Sequence, residues 1–287
     1  MRYALFMGCT IPARLNQYEL SARAVLSKLG VELVDIRDFN CCGYPMRNYD
    51  YNSFMFSSAR NIALAQKKGL DIITLCKCCF GSLRKAKHVL ENSSENKEVH
   101  DFLKKEKLTL HGKTEIKHFL SVLFNDMGLE KIRENITKPF NDLKIATHYG
   151  CHALRPKDIV DFDDPDNPVI FDELVNVTGA QSVNWQSKLE CCGAPLLGIN
   201  DELSENITEK KLSHGIESGA DFLCTACPYC QLQFDSVQNM MISEKKIKKS
   251  LSPILYTQLL GLSMGIDADT LQLSMNELDI SGIKDYI

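Results

Sequence analysis

The chain of 287 residues has room for two domains that each bury a core, and its composition, 44% hydrophobic and 24% charged, is typical of a globular protein. The formal net charge of -4 argues against a nucleic-acid partner, which usually selects a basic surface. No apolar run reaches the roughly 18 residues needed to cross a bilayer, so we expect no direct membrane insertion.

The first predicted element is a strand at the N-terminus, Tyr3 to Met7, which leads into Cys9. The segment MRYALFMGC has a small residue before a cysteine, as lipoprotein signals do, but its apolar stretch of about six residues is shorter than a secretory signal requires. With no targeting segment, we expect a protein of the reducing cytoplasm. Its 12 cysteines then predict metal ligands or redox groups rather than disulfides.

Helices and strands alternate through residues 1–91, which we predict as a first module. After the N-terminal strand, the predicted elements are a helix over 15–29 ended by Gly30, a strand over 31–36, a helix over 52–68 and a strand over 71–75. The stretch 92–140 is rich in Lys, Glu, Asn and Ser, and it predicts a solvated helical linker or insertion.

The same order of elements returns in residues 141–287, the predicted second module. Its predicted elements are strands over 144–147, 180–185 and 222–225, helices over 169–178 and 201–218, and a C-terminal apolar helix over 251–266 suited to a core or subunit contact. Strands separated by helices of this length indicate β-α-β units. We therefore expect an α/β fold of two tandem homologous Rossmann-like modules with parallel sheets, arranged as a pseudo-twofold duplication.

The cysteines fall into two matching sets, each with a lone cysteine after Gly, a Cys-Cys-Gly triplet and a closing C-x-x-C pair. The sets are Cys9, Cys41, Cys42, Cys76 and Cys79, and then Cys151, Cys191, Cys192, Cys227 and Cys230. The triplets are 150 residues apart and both closing cysteines 151 apart, which indicates an internal duplication. Because the matched cysteines follow strands, we expect each set to converge at the carboxyl ends of a parallel sheet.

Five thiolates per module exceed the four that a structural zinc or a cubane cluster takes, and adjacent cysteines suit a larger polynuclear cluster. Gly43 and Gly193 predict a tight turn and a close backbone approach to cluster sulfide. Cys78 and Cys224 align with Tyr229 and Ile73, so we interpret both as non-ligands. Zinc in one or both modules and buried thiol pairs without metal are the alternatives.

The double cysteine pattern resembles the cysteine-rich CCG-domain family and, within it, the B subunits of heterodisulfide reductases. The resemblance covers essentially the whole chain and includes HYGCHALRP at 148–156, ECCGAP at 190–195, CPYCQLQFD at 227–235 and LYTQLLG at 255–261. It implies a noncubane [4Fe-4S] cluster in each module, one on each set of five cysteines. The first module departs from the second in two ways: Cys78 lies inside its closing pair, and Pro12 follows the lone cysteine by three residues where Pro156 follows by five. The first departure leaves open whether Cys78 replaces Cys76 or Cys79.

The resemblance also implies reductive cleavage of the mixed disulfide of coenzyme M and coenzyme B between the two clusters. Electrons would come from heterodisulfide reductase subunits C and A, which carry iron–sulfur clusters and a flavin, and from a hydrogenase or formate dehydrogenase module. The alternatives are an electron-transfer subunit of a succinate/fumarate or lactate/glycolate oxidoreductase, a homologue that reduces a different disulfide, and a zinc-stabilised scaffold without redox activity.

His152 directly follows Cys151 and is the candidate catalytic residue, as a proton donor to the product thiolates. A histidine beside a ligand also suits a hydrogen bond to a cluster sulfur, and both interpretations stay open. Arg47, Lys77 and Arg155 are candidates either to meet an anionic substrate or to be ordinary surface charges.

Overall fold

The structure is a computed structural model that describes residues 1–92, 97–110 and 114–287; residues 93–96 and 111–113 of the predicted linker lie outside these ranges. The strands are β1 (Arg2–Phe6), β2 (Glu32–Asp35), β3 (Asp71–Thr74), β4 (Ile116–His118), β5 (Lys144–Thr147), β6 (Gln181–Val183), β7 (Phe222–Thr225) and β8 (Pro253–Leu255). The α-helices are α1 (Thr10–Arg14), α2 (Asn16–Lys28), α3 (Tyr51–Lys67), α4 (Lys77–Asn92), α5 (Lys97–Lys105), α6 (Phe119–Ser121), α7 (Leu129–Arg133), α8 (Lys157–Val160), α9 (Ile170–Asn176), α10 (Asp201–Glu217), α11 (Pro228–Leu232), α12 (Gln238–Ser243) and α13 (Tyr256–Ser263).

The strands form two four-stranded parallel sheets with the same order, β2-β1-β3-β4 and β6-β5-β7-β8. In the first sheet Tyr3 pairs with both Leu33 and Asp71, and in the second Ile145 pairs with both Ser182 and Phe222. The central strands are almost entirely buried, as parallel strands covered by helices on both faces must be. The predicted duplicated α/β fold with parallel sheets is confirmed.

The fourth strand of each sheet lies where the sequence pattern predicted none. β4 falls within the stretch 92–140 that was expected to be a helical linker, and β8 within the apolar helix expected over 251–266. Each strand has only three residues, too few for the two-residue alternation of a strand to be visible. Each runs directly into a helical segment that ends in Met-Gly, with both glycines, Gly128 and Gly265, at positive φ. The duplication therefore extends to this unit, at a spacing of 137 residues rather than 150.

The two modules pack against each other through one continuous core that contains buried residues of both. Ser21 on α2 and Thr257 on α13 share a hydrogen bond of 2.7 Å between their hydroxyl oxygens, and the Lys28 ammonium donates to the Met264 carbonyl. The C-terminal helix is thus buried against the first module. No helix among the described residues is long and apolar enough to span a bilayer.

Candidate metal centre

The matched cysteines follow strands that are neighbours in their sheets. Cys9 comes after β1 and Cys76 after β3, and these strands pair directly; β5 and β7 likewise pair and precede Cys151 and Cys227. Because paired parallel strands end at the same edge of a sheet, the turns after them lie side by side. The sheet order therefore brings together cysteines that are far apart in the sequence.

In the first module all five predicted ligands line one small cavity, together with Cys78. The Cys9 and Cys41 sulfurs are 3.8 Å apart. Cys9 is exposed and Cys41 half-buried, whereas Cys42, Cys76 and Cys79 are buried. The set thus has an outer end that reaches solvent and an inner end within the protein.

The second module repeats this arrangement. The Cys151 and Cys191 thiols are in contact at a half-buried outer end. Cys192 contacts Cys230, which in turn contacts Cys227, and these three are buried. The structure therefore also brings together the five predicted ligands of the second set.

The inner ends of the two sets meet at the module interface. The sulfurs of Cys76, Cys78 and Cys227 all lie within 4.8 Å of one another. Cys78, which we interpreted as a non-ligand, therefore lies between the two sets. Cys224 lies instead within β7, fully buried, with its backbone paired to Thr147 of β5.

The glycine of each Cys-Cys-Gly triplet adopts a left-handed backbone, with φ of 82° at Gly43 and 95° at Gly193. A Cβ on Gly43 would lie 2.9 Å from the Phe54 Cα, and one on Gly193 would lie 2.7 Å from the Ser204 carbonyl oxygen. The predicted tight turn is present. Each glycine also allows a close backbone approach to the helix that follows, α3 or α10. The close approach to cluster sulfide stays a prediction.

Those two helices hold the triplets by equivalent hydrogen bonds that the sequence did not lead us to expect. The Ser58 hydroxyl donates to the Cys42 carbonyl at 2.6 Å, and the Thr208 hydroxyl donates to the Cys192 carbonyl at 3.2 Å. One turn further on, Asn61 donates to the Asn40 and Cys41 carbonyls, and Lys211 donates to the Ser187 and Glu190 carbonyls. Both pairs, Ser58/Thr208 and Asn61/Lys211, share the spacing of 150 that relates the triplets, and that spacing is the signal that could have found them.

The donor atoms around each site are crowded, desolvated sulfurs. A hydrogen bond with Cys41 and burial raise the pKa of Cys9, and a hydrogen bond with Cys42 raises the pKa of Cys79. In the second module a hydrogen bond with Cys192 raises the pKa of Cys230. Hydrogen bonds from neighbouring thiols lower the pKa of Cys42, Cys191 and Cys227, so one thiol of each group ionises while its neighbours resist. All five thiols of a set would become thiolates together only beside a positively charged group. A set of sulfur donors alone fits iron–sulfur clusters or zinc, and five donors exceed the need of one zinc ion.

Lys77 is a buried residue of the module interface, not a surface charge. It is only 2% exposed, and its ammonium donates across the interface to the carbonyls of His148 at 2.9 Å and Tyr149 at 2.7 Å. Burial lowers its pKa. Arg47 lies with its guanidinium 5.2 Å from the centre of the Tyr44 ring, and Arg155 donates to the Pro165 carbonyl.

His152 is half-buried at the interface, with its Nε2 3.0 Å from the Tyr44 hydroxyl of the first module. Burial lowers the pKa of His152. The Tyr44 ring also lies 6.0 Å from the ring of Tyr229. Tyr44, which directly follows the first Cys-Cys-Gly triplet, was not among the residues predicted for the site.

A family model of the cysteine-rich CCG domain matches residues 3–84 and 145–235, the two segments that carry the cysteine sets. The chain belongs to the cysteine-rich CCG domain family. Each of the two matched segments contains one lone cysteine, one Cys-Cys-Gly triplet and one closing C-x-x-C pair.

Relatives of the chain align along nearly its whole length. It is 36% identical to the B subunit of a ferredoxin:CoB-CoM heterodisulfide reductase from Methanosarcina mazei, over 96% of this chain and 93% of that one. It is 31% identical to the membrane anchor subunit of an 8-methylmenaquinol:fumarate reductase from Wolinella succinogenes, over 96% and 97%. A solved structure of a hypothetical protein from Helicobacter pylori matches with a TM-score of 0.78 at 21% identity, over 98% of this chain and 52% of that one, and supports the fold.

Proposed function

We propose that this chain is the catalytic iron–sulfur subunit of a disulfide reductase of the CoB-CoM heterodisulfide type. The observation that carries the proposal is the meeting of the two cysteine sets at Cys76 and Cys227, together with their accessible outer ends. Redox groups held by two sets that meet there would be close enough to act on the two sulfur atoms of one disulfide bond. The 36% identical relative from Methanosarcina mazei supports the same assignment.

Each module would hold one noncubane [4Fe-4S] cluster. The ligands in the first module are Cys9, Cys41, Cys42, Cys76 and Cys79, and those in the second are Cys151, Cys191, Cys192, Cys227 and Cys230. When bound, the clusters would supply two one-electron centres and positive iron that stabilises a thiolate. Zinc in one module is the lesser alternative, since a single ion leaves one of five thiols without a role.

A cleft of about 350 Å³ offers the substrate a way in at the module interface. It is lined by Cys9 of the first set and by Ala194, Leu197, Tyr229 and Leu232 of the second module, among others. Such an apolar wall suits the alkyl part of a thiol, and the exposed Cys9 marks where the first redox group comes closest to the cleft.

Cleavage of a disulfide to two thiols consumes two electrons and two protons. His152 and Tyr44 supply a proton-bearing pair at the interface, since the histidine Nε2 and the phenol oxygen share a hydrogen bond. We assign His152 the role of proton donor and Tyr44 the role of orienting its ring. The pair lies near the half-buried outer end of the second set, because His152 adjoins Cys151.

Electrons would arrive from partner subunits of the heterodisulfide reductase type, C and A, with a hydrogenase or formate dehydrogenase module as the ultimate source. We infer a cytoplasmic location, because thiols in such number stay reduced there. The second candidate is an electron-transfer subunit of a fumarate reductase, which the 31% identical relative from Wolinella succinogenes favours by aligning over 97% of its length.

The test compares the two substrates on the complex purified without oxygen from its host. With reduced viologen as donor, the proposal predicts consumption of the coenzyme M–coenzyme B disulfide and no requirement for fumarate. Fumarate reduction by the same complex, with the disulfide untouched and the clusters intact, would establish the second candidate instead. A colourless protein with zinc and no iron would exclude both.

A further inference from the structure

His148 is a fully buried histidine whose two ring nitrogens have no hydrogen-bond partner in the part of the chain that the structure describes. An unpaired polar group in the core lowers the stability of the fold by about 1–3 kcal/mol. Because buried polar groups normally have a hydrogen-bond partner, we expect one for His148. An imidazole always carries at least one N–H donor.

One of the two ring nitrogens of His148 lies close to the second cysteine set. A ring nitrogen and the sulfurs of Cys192 and Cys230 all lie within 4.8 Å of one another. A Cβ placed on Gly150 would lie 3.4 Å from the histidine Nε2 and 3.9 Å from the Cys230 sulfur, so this glycine leaves the space between them open. The Phe234 ring packs edge-on to the imidazole, with the ring centres 5.1 Å apart.

At the matching position, the first module has a phenylalanine instead of this histidine. His148 precedes Cys151 by three residues, and the residue three before Cys9 is Phe6, which is also fully buried. Because five thiols recur in both modules and the histidine does not, a cluster does not need this nitrogen as a ligand. One backbone N–H to sulfur contact does recur: the amides of Gly43 and Gly193 donate to Cys41 and Cys191, both at 3.4 Å. The first module adds a contact of the same length, from the Cys79 amide to the Cys76 sulfur.

We propose that His148 donates its ring N–H to a ligand sulfur of the Cys192–Cys230 pair and so gives the two clusters different reduction potentials. The proposal rests on the proposed function, since it requires a cluster in the second module. A hydrogen bond to a ligand sulfur stabilises the more negative, reduced state and raises the potential. The second cluster therefore accepts an electron more readily than the first, which has Phe6 at the matching position. His148 is a positioning residue and takes no part in bond cleavage.

The test is a potentiometric EPR titration of the complex with wild-type chain, His148→Phe and His148→Gln, alongside iron analysis. Phenylalanine recreates the residue of the first module, and glutamine keeps an N–H donor. We expect unchanged iron content in both variants, a lower potential for one cluster in His148→Phe, and a partial return in His148→Gln. His88→Phe, at an exposed position on α4, serves as the control and leaves both potentials unchanged.

Three results would overturn the proposal. Loss of half of the iron in His148→Phe would make the histidine a ligand. If His148→Phe keeps both clusters and neither reduction potential shifts, His148 has no influence on the potentials. In the wild-type protein, pulsed EPR should show on one cluster a weak ¹⁴N coupling that is lost in His148→Phe, beyond the amide couplings expected on both clusters. A strong coupling typical of iron-bound nitrogen would also contradict a hydrogen bond. Absence of iron from the wild-type complex would instead defeat the proposed function itself.

Discussion

Tyr44 and His152 are joined across the module interface by a hydrogen bond of 3.0 Å between the phenol oxygen and Nε2. Their rings meet edge to face, with centres 5.0 Å apart. Each residue directly follows part of a cysteine set, Tyr44 after the first triplet and His152 after the lone cysteine of the second. The pair therefore ties the proton-bearing groups of the site to both modules at once.

Replacing His152 by alanine should lower the rate of disulfide reduction about 100-fold, because a positioned general acid contributes about 10²–10⁴-fold. Tyr44→Phe removes only the hydroxyl that orients the ring and should cost about 10-fold. Both variants should retain their iron, measured per chain. Tyr49→Phe is the control, since Tyr49 is 89% exposed, and it should leave the rate unchanged. Full activity of His152→Ala with intact clusters would remove its assigned role.

Cys78 and Cys76 compete for one place in the first ligand set, because both lie against Cys227. The assignment predicts that Cys76→Ala loses the first cluster, seen as half of the iron and one missing EPR signal, whereas Cys78→Ala keeps both. The reverse pattern would exchange the two residues in the ligand set. Cys224→Ala, which alters a buried strand residue, should retain all the iron.

Gly193→Ala should destabilise the second triplet, since its Cβ would lie 2.7 Å from the Ser204 carbonyl at a positive φ. Gly219 has a similar φ of 76° with open space around it, so Gly219→Ala measures the backbone cost alone, about 1 kcal/mol. We expect Gly193→Ala to cost roughly 1–3 kcal/mol more, measured as a lower midpoint of thermal unfolding. Equal midpoints for the two variants would show that the close approach to α10 is not tight.

Lys77→Met should weaken the contact between the modules, because it leaves the carbonyls of His148 and Tyr149 without their donor. Each unpaired buried carbonyl costs about 1–3 kcal/mol. The expected result is a fall of several degrees in the unfolding midpoint. Lys67→Met, at an exposed position on α3, is the matched control and should change the midpoint by about a degree at most. An unchanged midpoint in Lys77→Met would mean that solvent replaces the ammonium.

The sequence predicted the fold as far as local periodicity could reach. The strand before Cys76 and the helix after the second triplet lie within one or two residues of their expected bounds. The helix has 17 residues, and the strand is a β-rich run that ends just before Cys76. β4 and β8 were missed because three residues show no period, and their pairing depends on the neighbouring strand rather than on their own sequence.

The candidate site was likewise predicted only in part. The duplication itself identified the cysteines that the structure brings together. Lys77 was misjudged because a lysine between cysteines carries no local sign of burial, which here comes from the second module. The Tyr44–His152 contact and the placement of His148 near Cys230 also arise only when two distant segments pack together.

The most direct test of disulfide cleavage between two clusters is a single-turnover experiment followed by EPR. Both clusters are first reduced in the complex, and one equivalent of the coenzyme M–coenzyme B disulfide is then added without further donor. We expect both clusters to lose one electron each while two thiols form per disulfide. Reoxidation of neither cluster, with the disulfide intact, would contradict cleavage at this site.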